Sequence, residues 1–158
     1  MALQVWLPLN EDLHNQGLMQ NLKIANIQSG CNINTTGKIG KCYTNTGTTN
    51  AVATPCSFSA TAFSICAWVR FDTRLNQWQR CFGLTGNNGE RIGFGTEHTN
   101  GTSLGFHFGK NINNTSTTVF DIYLDNISAG VWNHFAMCYD SIKYYIYQNG
   151  ILMKSGNA

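Results

Sequence analysis

The chain has 158 residues, of which 42% are hydrophobic and only 11% are charged, and its formal net charge is +2. The few basic residues are scattered, which argues against a nucleic-acid binder, because such proteins carry a basic stripe. The aromatic share of 12% argues against disorder. The sequence shows neither an apolar run of transmembrane length nor the features of a signal peptide. We therefore expect one globular domain over residues 1–158, with no nucleic-acid partner and no membrane insertion.

Apolar residues recur with a period of two, which is typical of β-strands. The clearest case is residues 63–71, where one face consists of Phe63, Ile65, Ala67, Val69 and Phe71. Residues 132–139 alternate in the same way, and residues 143–147 are rich in aromatic and β-branched side chains. These three segments are predicted to be strands with one buried face.

Asn-Gly pairs separate several short apolar segments. This dipeptide tolerates the positive φ angles of type I′ turns, so each pair predicts a hairpin. The predicted hairpins join residues 80–84 to 91–94, 91–94 to 104–108, and 144–147 to 151–153. The best helix candidate, residues 11–21, has no clean apolar stripe. The pattern as a whole predicts an all-β antiparallel sandwich.

Four segments, in the correct order, resemble laminin-G-like domains with the concanavalin A-like fold. They are VWLPL at 5–9 followed by NQG at 15–17, GKIGKCY at 37–43, FSICAWVR at 63–70, and WNHFAMCYD at 132–140 followed by IYQNG at 146–150. The third resembles the family strand F-T-I-S-A-W-V-K. The fourth resembles W-x-H-V-A-x-x-Y-D followed by x-V-x-N-G. This resemblance implies an antiparallel jelly-roll β-sandwich.

The family pattern continues beyond the last predicted hairpin, whereas this chain stops at Ala158. Family members add further strands, including a late segment of the D-V-R-I-Y type. The resemblance therefore implies a sandwich that is short at its carboxyl end and lacks its last strands. Such a sandwich exposes unpaired strand edges and apolar faces. We expect another protein, or a second copy of this chain, to complete that edge.

The opening residues carry a second resemblance. WLPLN at residues 6–10 and NQGL at residues 15–18 are similar to jelly-roll proteins of tailed phages of gut bacteria. This resemblance implies a virion protein that is assembled in the bacterial cytoplasm. Its implied partners are other virion proteins or copies of itself, together with cell-surface glycans. An extracellular location is the alternative.

The sequence shows no recognisable catalytic carboxylates. Glycoside hydrolases of this fold place closely spaced carboxylates along one strand. The three glutamates, Glu11, Glu90 and Glu97, do not form such a pattern. Motifs of serine hydrolases, P-loop proteins and zinc proteases do not occur either. We expect a protein that is not an enzyme and that has no cofactor.

Calcium is the metal that the resemblance brings into question, because some laminin-G-like domains bind it. Ca²⁺ takes about 6–8 oxygen ligands. Asp121 and Asp125 are close enough in sequence to share a loop rim, but we favour solvated strand-end residues. His134 lies in the family-like strand, and we expect it to be a structural hydrogen-bonding residue rather than a ligand or catalyst.

Sugars bind to aromatic faces and to planar amide groups. Residues 76–79 have this composition, and the candidate carbohydrate-binding residues are Asn76, Gln77, Trp78 and Gln79. A predicted loop over residues 111–118 is similar but lacks an aromatic side chain. Trp78 is equally explained by core packing. For Trp68 and Trp132, which lie in the family-like strands, we expect a place in the core.

The six cysteines have no C-x-x-C spacing, which argues against zinc and thioredoxin-like chemistry. We expect reduced thiols, several of which act as small hydrophobic side chains. Cys66 and Cys138 have apolar neighbours within predicted strands, so both are expected to be buried and slow to react.

Three functions are compatible with these patterns. The first is a non-enzymatic structural or adhesion module of a phage virion, decorating the head or the tail, with the capacity to bind glycans. The second is a secreted or surface carbohydrate-binding module. The third is a relative of glycoside hydrolases that has no recognisable catalytic carboxylates. We favour the first.

Overall fold

The computed structural model describes residues 26–27, 31–45, 52–53, 62–72, 79–85, 91–96, 104–112, 115–125 and 127–157. The chain divides into two units, Met1–Ser59 and Ala60–Ala158. The first contains β1 (Asn26–Ile27), β2 (Cys31–Thr36), β3 (Lys41–Asn45) and β4 (Val52–Ala53). Strands β1 and β4 pair antiparallel, and β2 and β3 form a hairpin. The expectation of one domain over the whole chain stays a prediction.

The described residues of the second unit form eight strands in two antiparallel sheets. They are β5 (Phe63–Val69), β6 (Gln79–Thr85), β7 (Arg91–Thr96), β8 (Leu104–Ile112), β9 (Thr115–Leu124), β10 (Asn133–Tyr139), β11 (Lys143–Gln148) and β12 (Ile151–Asn157). One sheet has the order β12-β11-β10-β5, and the other is the meander β6-β7-β8-β9. The predicted all-β antiparallel fold is therefore confirmed.

The described part of the chain forms no helix. Accordingly, none of the residues described here belongs to a helix that is long and apolar enough to cross a bilayer. The weak helix candidate, residues 11–21, lies outside the described residues.

The turn between β11 and β12 has the geometry that its Asn-Gly pair predicts. Asn149 has a φ of 52° and Gly150 a φ of 83°, as a type I′ turn requires. The backbone N–H of Asn149 also donates to the carbonyl of His134 at 2.8 Å. The turn is thus fixed by its local backbone conformation and by a hydrogen bond to His134, near the start of β10.

The predicted loop at residues 111–118 is wrong. Strand β8 continues to Ile112 and β9 begins at Thr115, so only residues 113–114 separate them. The two strands pair from Leu104 opposite Leu124 to Ile112 opposite Thr115, with one register shift. The polar Asn/Thr composition suggested a loop whose backbone N–H and C=O groups bond to water. These groups are instead paired in the antiparallel ladder of β8 and β9.

The core of the second unit lies between its two sheets. The rings of Phe106, on β8, and Phe135, on β10, meet edge to face with centroids 6.2 Å apart. Among the residues whose burial the structure describes, the buried apolar ones are Phe63, Phe71, Leu104, Phe106, Ile122, Leu124, Ile127, Phe135, Met137 and Ile146. Burial therefore follows the alternation seen in residues 63–71 and 132–139. It also defines which side chains of β5 and β10 point away from the core.

Asp140 organises the turn between β10 and β11. Its Oδ1 accepts the backbone N–H groups of Lys143 at 2.7 Å and Ile142 at 2.9 Å. Its Oδ2 accepts the hydroxyl of Tyr145 at 3.3 Å. These bonds favour the charged carboxylate, and the Lys143 N–H lowers the pKa of Asp140 most.

The bonds to Asp140 predict a pH dependence of stability. Because folding lowers the pKa of this carboxyl, its contribution is present above the unfolded-state value of about 4 and is lost as the pH falls through the lower folded-state pKa. Asp140→Asn should therefore be less stable than the wild-type chain near neutral pH, and the gap should narrow in acid. Urea unfolding across this pH range measures the gap. A gap that is constant with pH would contradict the assignment.

Candidate functional site

The side chains of β5 and β10 that point away from the core form a second face of the sheet. In the register of these strands Trp68 lies opposite His134, Cys66 opposite Ala136, and Ser64 opposite Cys138. On the next strand, Tyr147 pairs with Ala136 and Tyr145 with Cys138. We call this surface the outer face, and its members are Ser64, Cys66, Trp68, His134, Ala136, Cys138, Tyr145 and Tyr147.

The outer face has small side chains at its centre and large rings at its margins. Ser64, Cys66, Ala136 and Cys138 are the small ones. Trp68 and Ser64 are four residues apart on one strand, which corresponds to about 13 Å. The aromatic rings of β11 lie beside this region, since Tyr145 and Tyr147 alternate with the buried Ile146. A flat molecule of that length could lie along the strands between these rings.

Trp68 is the largest exposed ring on the outer face. Its side chain is 42% exposed. The indole and the His134 imidazole are 5.3 Å apart between centroids, with their planes tilted by 59°. A ring in this position offers an apolar surface, and the imidazole beside it offers nitrogen atoms for hydrogen bonds.

Arg70 extends the same side of β5. Its Nε lies 2.6 Å from Asp72 Oδ1, and its Nη2 donates to Asp72 Oδ2 at 3.0 Å. The guanidinium carbon lies 5.4 Å from the centre of the Trp132 ring. This two-point ion pair and the cation–π contact restrict the long Arg70 side chain. These contacts lie at the polar margin next to Trp68.

A cluster of three side-chain amides, from the buried Asn133, the half-buried Gln148 and the exposed Asn149, fixes the strand end that carries His134. Asn133 Oδ1 accepts Gln148 Nε2 and Asn149 Nδ2, both at 3.0 Å. Asn133 Nδ2 donates to the carbonyl of Val131 at 3.3 Å. Asn149 Oδ1 in turn accepts the backbone N–H of His134 at 2.9 Å. The His134 backbone is thus held from the β11–β12 turn, as a preformed site requires.

Two predictions about burial are wrong. Trp68 was expected in the core, and Cys66 and Cys138 were expected to be buried, but Trp68 and Cys66 are exposed and Cys138 is half-buried. All three lie on the same side of the sheet as Ser64, whereas Phe63 lies on the opposite side, and their side chains therefore point away from the core. The alternation along residues 63–71 was the signal that could have located this face. Trp132 is half-buried beneath Arg70.

The predicted sugar-binding residues cannot be compared with this face. Asn76, Gln77 and Trp78 lie outside the described residues, and Gln79 is the first residue of β6. They remain candidates from sequence. The three glutamates considered as catalytic residues, Glu11, Glu90 and Glu97, also lie outside the described part.

The two calcium candidates lie in different structural elements, one inside a strand and the other after its end. Asp121 lies within β9 opposite His107, whereas Asp125 follows the end of that strand and is exposed. They therefore do not share one loop. Within the described residues, no cluster of three or more His, Cys, Asp or Glu side chains could hold a metal ion. His134 makes its bonds to Asn149 through the backbone, and its ring contacts Trp68.

The cysteines provide a direct check on the outer face. Cys66 and Cys138 are free thiols. Cys66 is exposed and should react with iodoacetamide in the folded protein, and Cys138 should react more slowly because it is half-buried. Peptide mapping by mass spectrometry after timed alkylation would measure both. Labelling of Cys66 only after denaturation would contradict its place on the outer face, and Cys66→Ser identifies its peptide.

Comparisons with known proteins agree with the architecture. A model of the concanavalin A-like lectin/glucanases superfamily, the third laminin G family, matches residues 45–158. An S-layer domain-containing protein from Clostridium thermocellum has a similar solved structure, with a TM-score of 0.53 and 19% sequence identity. The match covers 98% of this chain and 72% of that one. A search of curated proteins finds no match.

The family match spans both sheets of the second unit, including the strands that build the core and the outer face. The antiparallel sheets agree with it, and so do the two sequence segments that lie within the matched residues, at 63–70 and 132–150. The chain belongs to the concanavalin A-like lectin/glucanase superfamily.

Proposed function

We propose that this chain is a non-catalytic adhesion module that binds glycans through its outer face. The superfamily includes lectins and glucanases by name. The observation that supports a binding role on this face is the exposed Trp68 ring beside His134. Sugar rings present C–H groups that pack on an indole, while their hydroxyls need donors and acceptors nearby.

The shape of the outer face favours a short oligosaccharide over a single sugar. Small side chains follow Trp68 along the strands, and Tyr147 and Tyr145 border them on β11. Successive sugar units can contact Trp68 at one end and tyrosine rings further along. Because Arg70 is already paired with Asp72, the margin adds little net charge, which suits an uncharged glycan.

The proposed setting is the surface of a tailed-phage virion. The resemblance of residues 6–10 and 15–18 to phage jelly-roll proteins supports it, and so does the low charge of the chain. A module on a bacterial cell surface is the second candidate. The similar fold of an S-layer domain-containing protein favours that candidate. Neighbouring capsid and portal genes would support the virion, and glycoside hydrolase genes would support the cell surface.

The binding proposal is tested by a glycan array followed by titration calorimetry with the best glycan. Trp68→Ala should raise the dissociation constant for that glycan at least about tenfold, equivalent to about 1.4 kcal/mol, because the stacking surface is lost. Ile142→Ala is the matched control, since Ile142 is apolar and exposed but lies in the β10–β11 turn. Bound glycan should also slow alkylation of Cys66.

Two results would overturn the proposal. One is a glycan that binds Trp68→Ala and the wild-type chain equally well. The other is an array without any bound glycan across host envelope and capsule sugars. The absence of catalysis is tested separately, by looking for new reducing ends after incubation with β-glucans, peptidoglycan and host capsule. If the protein produces new reducing ends and Glu90→Gln or Glu97→Gln abolishes this activity, the protein is a glycoside hydrolase and the non-catalytic assignment is wrong.

A further inference from the structure

The turn between β11 and β12 contains a dipeptide that can react with itself. Asn149 precedes Gly150, and both residues are exposed. The backbone nitrogen that follows an asparagine can attack its side-chain amide, and glycine favours this attack because it has no side chain in the way. Apart from its chain neighbours, no described atom lies within 4 Å of the position that a Cβ at Gly150 would take. Water therefore has room to reach this turn.

The reaction is a deamidation, and it needs only water and mildly alkaline solution. The Gly150 backbone nitrogen gives its proton to solvent base and forms a bond to Asn149 Cγ. The Cγ–Nδ2 bond breaks, and Nδ2 leaves as ammonia after taking a proton from solvent. Water then opens the resulting succinimide at either of its carbonyl carbons. The product is aspartate or isoaspartate, in which the backbone runs through the former side chain.

The contacts of Asn149 oppose this reaction in the folded protein. Its Nδ2, which is the leaving group, donates to Asn133 Oδ1 at 3.0 Å, and its Oδ1 accepts the backbone N–H of His134 at 2.9 Å. Both bonds tie the side chain to β10, whereas the attacking nitrogen belongs to the turn itself. Because Cγ must turn towards that nitrogen, we expect the side chain to leave both bonds before it reacts.

We propose that Asn149 is a deamidation site, that its bonds to Asn133 and His134 set the rate, and that the modification loosens the β11–β12 turn. Aspartate puts an oxygen where Nδ2 lies, so that this oxygen and Asn133 Oδ1 face each other as two acceptors. Isoaspartate lengthens the backbone of a turn that joins two paired strands. Either product weakens the connection between the turn and β10. The proposal does not depend on glycan binding.

Peptide mapping by mass spectrometry, after incubation in mildly alkaline buffer, measures the rate. Trypsin releases residues 144–154, in which Asn149 is the only asparagine. The tryptic peptide 92–110 also has only one asparagine, Asn100, which precedes a glycine too. In urea-denatured protein the two sites should deamidate at similar rates. In the folded protein Asn149 should react about tenfold or more slowly than in the denatured chain, because two hydrogen bonds must open first.

A variant of Asn133 tests whether these bonds set the rate. Asn133→Leu removes the acceptor of Asn149 Nδ2 and should raise the rate in the folded protein about fivefold or more. Gln148→Leu is the matched control, because it removes another bond to Asn133 Oδ1 but neither bond of the Asn149 side chain. It should react at about the wild-type rate. Circular dichroism checks that both variants are folded, and the comparison of folded with denatured wild type needs no variant.

The consequence for the turn is tested with the product. Asn149→Asp reproduces the aspartate form and should unfold at a lower urea concentration than the wild type. Deamidated wild-type protein, separated by ion exchange through its added negative charge, should show at least the same shift.

Four outcomes would overturn the proposal. The first is an Asn149 that reacts as fast in the folded protein as in the denatured chain, and the second is a folded Asn133→Leu protein with the wild-type rate. The third is equal acceleration by Gln148→Leu, which would indicate general loosening. The fourth is unfolding of Asn149→Asp and of the deamidated protein at the wild-type urea concentration.

Discussion

Truncation of Phe135 to alanine is expected to lower the free energy of unfolding by about 3–5 kcal/mol. Phe135 is 0% exposed and lies at the centre of the core. Its ring contacts Phe106 of the facing sheet edge to face. The substitution removes this contact and leaves a cavity between two sheets whose backbones are held by their ladders, so the cavity cannot collapse. Urea unfolding followed by far-ultraviolet circular dichroism measures the loss.

Trp68→Ala is the control for this experiment, since it removes a larger ring from the neighbouring strand. On the outer face that loss should reduce stability by no more than about 1 kcal/mol. The two variants therefore separate the core face of the sheet from the outer face. Equal losses would contradict the phase of β5 and β10, and with it the place of Trp68 at the surface.

Replacement of Asn133 by leucine, whose side chain has the same branching, is expected to cost about 1–3 kcal/mol. The variant removes the acceptor of two amide N–H groups, from Gln148 and Asn149, and it removes the donor to Val131. Because Asn133 is buried, water cannot replace these bonds without opening the strand end. The urea concentration at half unfolding measures this loss of stability, provided that the m-values of the two proteins agree.

The Asn133→Leu variant should also weaken glycan binding, since Asn149 would hold the His134 backbone less firmly. Asn157→Leu, at an exposed position of β12, is the matched control and should change neither property. If Asn133→Leu unfolds at the wild-type urea concentration, the amide cluster does not stabilise the β11–β12 turn.

Local patterns in the sequence predict much of the second unit. The alternation of residues 63–71 corresponds to β5, and the Asn149–Gly150 pair corresponds to a turn with two positive φ angles. Both signals are local in sequence. Alternation along a strand decides which side chains share a face, and the Asn-Gly pair tolerates the positive φ angles that the turn requires. The segment resemblances add the fold family, which the family model shows for residues 45–158.

Strand β9, and the contact that brings His134 beside Trp68, could not be obtained in the same way. β9 forms because residues 115–124 pair with β8, and a polar Thr-rich composition does not show that partner. Trp68 was assigned by its hydrophobicity and by the resemblance, although its phase is that of Ser64. His134 comes beside Trp68 only through the pairing of β5 with β10, a contact between distant parts of the chain.

The pairing of β5 with β10 also has a consequence for how the protein folds. The meander β6-β7-β8-β9 and the hairpins of β10, β11 and β12 form between neighbours in sequence, whereas Val69 must find Asn133. Closing that long loop costs chain entropy before any contact offsets the cost, so we expect this step to limit the folding rate. During synthesis β5 emerges from the ribosome well before its partner. Until β10 has been synthesised, β5 lacks its hydrogen-bonded neighbour and its apolar face is not buried. Exposed apolar surface and unpaired strand edges make such a nascent chain prone to aggregation.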